Sequence, residues 1–217
     1  MVDYISAVSR MKESIHYFEL AKPENTDVAL EIAKETALKK GIKHVIVAST
    51  RGESGVKAAE VFKGTGVSVV VVTHQIGPRG PELLEENEKK LHALGARIVT
   101  CTHAFGGVSS SLRTVPSVPP GQPRPQPYWP AYVPSTGDLI ANVLRLFSQG
   151  MKVCLEIVVM AADAGAIPIG QNVVAVGGQG RGSDTVIVIK SAGTSNFFDL
   201  DVQEILAKPI KKRIEAQ

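Results

Sequence analysis

Along the first hundred residues, short β-branched runs alternate with stretches whose apolar side chains recur at helical spacing. Residues 15–19 read as a first strand. A helix is predicted to begin just after Pro23, with Asn25 or Thr26 at its N-cap and acids in its first turn. Its stripe is Val28, Leu30, Ile32, Ala33, Ala37 and Leu38, and Gly41 stands where a C-terminal glycine is expected. The runs at 44–48 and 67–72 are almost unbroken in apolar residues, the pattern of strands buried on both faces. A polar turn at 49–55 separates the first of them from a helix predicted over about 54–63. A further helix over 82–94 carries its acids early and its bases late, and 96–101 reads as the next strand. Repeated β-α-β units of this length imply right-handed crossovers and a parallel sheet covered on both faces. The predicted fold is therefore a three-layer α/β/α domain with a doubly wound, mostly parallel sheet. Its ligand edge should lie at the C-terminal ends of the strands.

The stretch 115–134 breaks this rhythm. It holds eight of the thirteen prolines together with Tyr128, Trp129 and Tyr132, and its sole charge is Arg124. Proline at this density excludes helix and sheet interior. The segment reads as a surface insertion; a lid or docking strap is the sharper alternative, because exposed aromatics are costly without a purpose. Beyond it, a helix is predicted over 135–150, capped near Thr136 or Asp138, with Leu139, Ile140, Val143, Leu144 and Phe147 along one side. Residues 151–165 are apolar nearly all round, which marks a buried helix. Strands at 172–176 and 185–189 flank a glycine-rich loop. The apolar stretch 196–206 is expected to be a last strand or short helix closing an edge.

Composition narrows the function classes without choosing among them. Apolar residues at 44% and charged residues at 21% describe an ordinary globular chain. The net charge of +3 is too mild for a nucleic-acid footprint, and much of it sits at Lys208, Lys211, Lys212 and Arg213, a basic tail. No apolar run approaches the length of a membrane span, and the N-terminus lacks a signal-peptide core. The two cysteines, Cys101 and Cys154, lie in apolar stretches without zinc-type spacing, as expected in a reducing, cytoplasmic compartment. No metal site is expected. A homo-oligomer is expected by analogy with other α/β domains that expose edge strands.

Two loops carry the strongest chemical signal. In 177–184, Gly177, Gly178, Gly180 and Gly182 let several backbone N–H groups converge on an anion, and Arg181 adds a fork of donors. Ser183, Asp184 and Thr185 add polar contacts. A plain glycine-rich hairpin accounts for the same residues equally well. The second loop, Ser49-Thr-Arg-Gly-Glu-Ser-Gly55, joins a buried strand to an incoming helix N-terminus, an arrangement ready for an anion or simply a capped turn. The central expectation is that both bends face one pocket. Glu156 and Asp163 share a face of the apolar helix, where a role in tying loops together outranks acid–base chemistry. His74 and His103 each follow a strand end and are candidate edge-of-site residues. No nucleophile stands out.

Several runs resemble a known family. They are Glu24-Asn-Thr, Val47-Ala-Ser-Thr-Arg-Gly-Glu-Ser-Gly55, the helix motif from Gly150 to Pro168, Val174-Ala-Val-Gly-Gly-Gln-Gly-Arg-Gly-Ser-Asp-Thr185 and Asn196-Phe-Phe-Asp199. Together they resemble stand-alone proteins related to the C-terminal α/β domain of pyruvate kinase. The resemblance implies that Ser49, Thr50, Gly52 and Ser54 form one phosphate-holding element, and Arg181, Gly182 and Ser183 the other. It also implies a binding or regulatory role toward a phosphorylated small molecule, with flavin mononucleotide (FMN) as the cofactor. Asn25, Thr26, Arg51, Thr73, His74, Gly177, Gly178 and Asp184 complete the expected binding set. Met160, Phe105 or the Trp129 segment would line a slot for the ring. Two departures stand against the match: Glu53 puts a negative charge in the first element, and the second lacks the family's Gly-Thr-Asn ending. Pyruvate kinase activity is not expected, since the catalytic (β/α)₈ barrel needs ~250 residues of its own. The alternatives are a flavin-dependent enzyme and a protein-interaction module that uses the proline-rich segment.

Overall fold

The computed structural model describes residues 13–77, 80–107 and 134–211. Seven strands form one sheet: β1 (His16–Leu20), β2 (His44–Ala48), β3 (Ser68–His74), β4 (Arg97–Cys101), β5 (Asn172–Gly177), β6 (Thr185–Lys190) and β7 (Asp201–Lys211). Their order across the sheet is β1-β7-β6-β5-β2-β3-β4. All pairings are parallel except those of β6, which runs antiparallel to both β5 and β7. The expected three-layer, mostly parallel α/β architecture is present.

Alternation along the strands assigns each layer its core. Val45, Val47, Val69, Val71, Val174 and Val176 point to one face, under α1 (Thr26–Lys40), α2 (Glu53–Val61) and α3 (Glu85–Ala93). Ile46, Val70, Val72, Val173, Ala175, Ile187 and Ile189 point to the other, under α4 (Thr136–Leu144) and α5 (Gln149–Asp163). Both faces are dry, which is why these strands read as continuous apolar runs rather than alternating ones. The three helices of the first hundred residues thus share one face, and residues after 134 supply the opposite layer. α5 is the central element of that layer, buried from Gly150 to Ala162 with few breaks.

Three expectations need correction. The helix predicted over 135–150 ends at Leu144, and the buried helix predicted over 151–165 already begins at Gln149. Ser135, not Thr136 or Asp138, caps the first in a reciprocal box with Asp138. The chain then turns, and Ser148 caps α5 by accepting a hydrogen bond from Met151 N. Leu139, Val143 and Phe147 consequently face solvent. Asn25 does occupy the cap position of α1, but its amide donates to Leu20 O (2.8 Å) rather than capping. The stretch 196–206 is both a 3-10 segment (Thr194–Asp199) and the start of β7, and β7 lies inside the sheet with β1 as the edge. The proline-rich segment, apart from Pro134, lies outside the described residues, as do Lys212 and Arg213. Among the described residues no helix is long and apolar enough to cross a membrane.

Candidate functional site

Strand order decides where the site is. The connection leaving β2 runs outward to β3, whereas that leaving β5 runs the other way to β6. The two parallel neighbours therefore send their chains apart, leaving a crevice beyond their C-terminal ends. A cavity of about 510 Å³ occupies that crevice. The loop after β2 lines it with Ser49, Thr50, Arg51, Glu53 and Ser54, and the loop after β5 with Gly178, Gly180, Arg181 and Gly182. Both bends therefore face one pocket.

The first bend is held rigidly. Ser49 Oγ accepts from Gly55 N (3.0 Å), tying the turn to the first residues of α2. Thr73 Oγ1 donates to Thr50 O, and Asn87 Nδ2 donates to Arg51 O, both at 2.9 Å. Gly52 sits at φ 98°, in the left-handed region, and a Cβ there would meet Asn87 Cβ at 2.5 Å and Leu83 Cδ1 at 2.9 Å. Only glycine fits. With the backbone so fixed, the Ser54 hydroxyl lines the cavity, and Thr50 Oγ1 lies 3.4 Å from His74 Nε2. The charge of Glu53 is opposed by Arg51, 3.6 Å away across an exposed pair.

The second bend is a hairpin loop, closed by a hydrogen bond from Asp184 N to Gly177 O (2.9 Å). Its back is gripped by the start of α1. Thr26 Oγ1 accepts from Ser183 N (3.0 Å) and donates to Pro23 O (2.6 Å), and Gly182 packs so closely that a Cβ would overlap Pro23 Cα. Thr26 thus supports the glycine loop from behind, Asn25 ties the start of α1 to the end of β1, and neither lines the cavity. Gly52, Gly177, Ser183 and Asp184 likewise stand behind the wall, while Ser49, Thr50, Arg51, Ser54, Thr73, His74, Gly178, Arg181 and Gly182 form it. Ser183 Oγ is buried without a hydrogen-bond partner. Burial raises Asp184 to about 6, against the opposing hydrogen bonds from Thr185 and the Gln179 backbone.

The third wall is one side of α5, with Gln149, Lys152, Val153, Glu156, Ile157 and Met160. Gly150 lets this helix begin against the sheet, because a Cβ would lie 2.5 Å from Thr185 Cβ and 2.8 Å from Asp184 Oδ1. The N-terminus of α2, with its positive dipole character, and the side of α5 thus border the cavity from opposite layers. Met160 lines the cavity, Phe105 lines an adjacent cavity of about 220 Å³, and Trp129 is outside the described residues.

A titratable group sits at the base of this wall. Glu156 is 2% exposed and accepts from His103 Nδ1 (3.1 Å), from Phe105 N (3.2 Å) and from the Lys152 ammonium one helical turn away. Burial alone would raise its carboxyl, but the hydrogen bond from His103 and the attraction of Lys152 outweigh it and bring it to about 2. Burial lowers Lys152, and Glu156 draws it part of the way back. The ring of His74 lies 4.4 Å from that of His103, and both line the cavity. Asp163 is elsewhere, exposed at the far end of α5 and accepting from Thr194 N (2.9 Å), the loop-tying role expected of it. Lys152 escaped the sequence reading. Its only signal was a Lys four residues before a Glu in an otherwise apolar helix.

No protein-family model matches the chain. The solved structures similar to it include two of Cryptosporidium parvum pyruvate kinase. One is 13% identical with a TM-score of 0.36, covering 76% of this chain and 22% of the enzyme. The other, in complex with ADP, is 14% identical with a TM-score of 0.36, covering 76% and 23%. A structure of O-ureido-L-serine synthase is 23% identical with a TM-score of 0.29, covering 42% of this chain and 28% of that one. The chain spans about a quarter of the length of these proteins, and its structural likeness to pyruvate kinase is distant.

Proposed function

We propose that this chain is a binding or regulatory α/β protein for a phosphorylated small molecule, with FMN as the leading ligand. We also propose that it belongs with the stand-alone relatives of the pyruvate kinase C-terminal domain and has no pyruvate kinase activity of its own. The observation that carries the binding proposal is the convergence of two separated bends and the N-terminus of α2 on one cavity at the centre of the sheet edge. The donor set suits FMN. The hydroxyls of Thr50 and Ser54 and the forks of Arg51 and Arg181 would hold its phosphate, while Val72, Val153, Ile157 and Met160 offer an apolar strip for its ring. The cavity volume lies in the range of small-molecule sites. When bound, a flavin supplies redox chemistry.

Addition of FMN to the purified chain should quench flavin fluorescence and raise the melting temperature. A hundredfold excess over Kd stabilises by about 2.7 kcal/mol, or roughly 5–10 °C for a chain of this size. A melting temperature unmoved by saturating FMN and by sugar phosphates alike rejects the reading. The His103–Glu156–Lys152 group on the same wall favours a second reading, in which the bound molecule also reacts.

A further inference from the structure

Among the groups lining the crevice, one cluster is not needed to hold a phosphate. His103 gives its Nδ1 proton to Glu156, a carboxylate with 2% exposure and two further donors, Phe105 N and the Lys152 ammonium. That bond fixes the imidazole tautomer. With Nδ1 as the donor, Nε2 carries the lone pair, on a side chain about one-third exposed that lines the cavity. An imidazole oriented by a buried carboxylate is the arrangement that makes an effective general base, since the carboxylate also stabilises the imidazolium that forms. Lys152 lines the same cavity, so a cation stands ready beside any ligand oxygen that gains charge. A buried ion pair is also expensive to keep for packing alone.

We propose that the crevice is a proton-transfer site, in which His103 is the catalytic base toward a small phosphorylated hydroxy-ketone or hydroxy-aldehyde, Glu156 is its positioning residue, and Lys152 faces the carbonyl oxygen. The proposal rests on the phosphate-binding reading above. In the step, the bond between hydrogen and the carbon next to the carbonyl breaks. The proton goes to His103 Nε2, the electron pair becomes a carbon–carbon double bond, and the carbonyl π pair moves onto oxygen near Lys152. Return of the proton to the same carbon restores the substrate. Its return to the neighbouring carbon, with the hydroxyl proton passing between the two oxygens, gives the isomer. Neither route consumes a co-reactant.

The test is solvent deuterium exchange. The full chain in deuterated buffer is mixed with dihydroxyacetone phosphate or ribulose 5-phosphate, and loss of the carbon-bound proton signal is followed by NMR alongside the melting temperature. The wild-type chain should exchange at least one of them well above buffer. His103→Gln and His103→Asn should each lower that rate by about 10²-fold or more, in proportion to the general-base contribution, while the melting shift on adding the probe survives. Glu156→Gln should lower the rate and move its half-maximal pH downward. It takes away the anion facing His103 while leaving the cation of Lys152 beside it, with His74 in ring contact and Glu82, Asp138 and Arg145 bordering the cavities that His103 shares. A melting shift with either probe but no exchange above buffer overturns the proposal, as does exchange unchanged in both His103 variants. A shift with FMN and none with either probe overturns it while leaving the binding reading intact. No shift with any of the three overturns both.

Discussion

Replacing Glu156 by Gln tests the electrostatic account of the crevice most directly. The native chain holds this carboxyl at about 2 instead of its ordinary 4.5. At 2% exposure there is little solvent screening to discount. A depression of that size corresponds to on the order of 3 kcal/mol of preference for the ionised form in the folded state. Because the folded value lies below the unfolded one, this stability is fully present above about pH 4.5 and drains away as the pH falls toward 2. It should have fallen to about half by pH 3. Removing the charge also strands the Lys152 ammonium, itself 7% exposed, and breaking a buried pair from one side costs about 3–5 kcal/mol. Urea unfolding should therefore show Glu156→Gln destabilised by roughly 3 kcal/mol at pH 7, with the gap to wild type clearly smaller at pH 3. The double variant Lys152→Met, Glu156→Leu should recover much of the loss, since it leaves no charge unpaired. A loss under ~1 kcal/mol at pH 7, or an equal loss at both pH values, refutes the reasoning.

Three further outcomes follow from the site. Asp184 is raised from 3.8 to about 6 in the fold, so its ionisation penalises the native state increasingly as pH rises from about 4 to 6, on the order of 3 kcal/mol at most. Asp184→Asn should gain stability relative to wild type across that window, checked by thermal melts at pH 4 and pH 7; a constant difference contradicts it. Gly150→Ala should lower the melting temperature by several degrees despite alanine's better helix propensity, because its methyl would overlap Thr185 Oγ1 and overpacking costs about 1–3 kcal/mol. Arg181→Ala should weaken phosphorylated-ligand affinity about tenfold by titration without moving the unliganded melting temperature, since the side chain is exposed and contributes only to the cavity wall.

What the sequence determined by itself was the set of local units. The apolar runs around Val45–Val47 and Val69–Val72 are strands buried twice, and only a sheet with helices on both faces buries them so. The all-round apolar character of α5 was legible for the same reason, whereas the stripe read for α1 is fully buried only at Leu30, Ala33 and Ala37: Val28 and Leu38 face solvent, and Thr26, Ala29 and Thr36 complete the dry side. The two anion-ready bends were visible too, because glycines and hydroxyls mark the backbone freedom and donors such bends require. The break between α4 and α5 was harder to read. Ser148 sits inside a stretch whose apolar residues run on at helical spacing; its hydroxyl caps α5 at Met151 N and lies 3.1 Å from Thr185 Oγ1 on the sheet. Tertiary structure alone decided that both bends share a cavity, since that follows from β5 returning beside β2, a pairing between residues more than a hundred positions apart. It alone brought His103 to the Lys152–Glu156 pair, and set Thr26 behind the glycine loop instead of in the pocket. Local propensity and one-turn pairs such as Lys152–Glu156 act over a few residues and are written in the chain; the His103–Glu156 contact and the crevice walls arise from partners the chain order does not name.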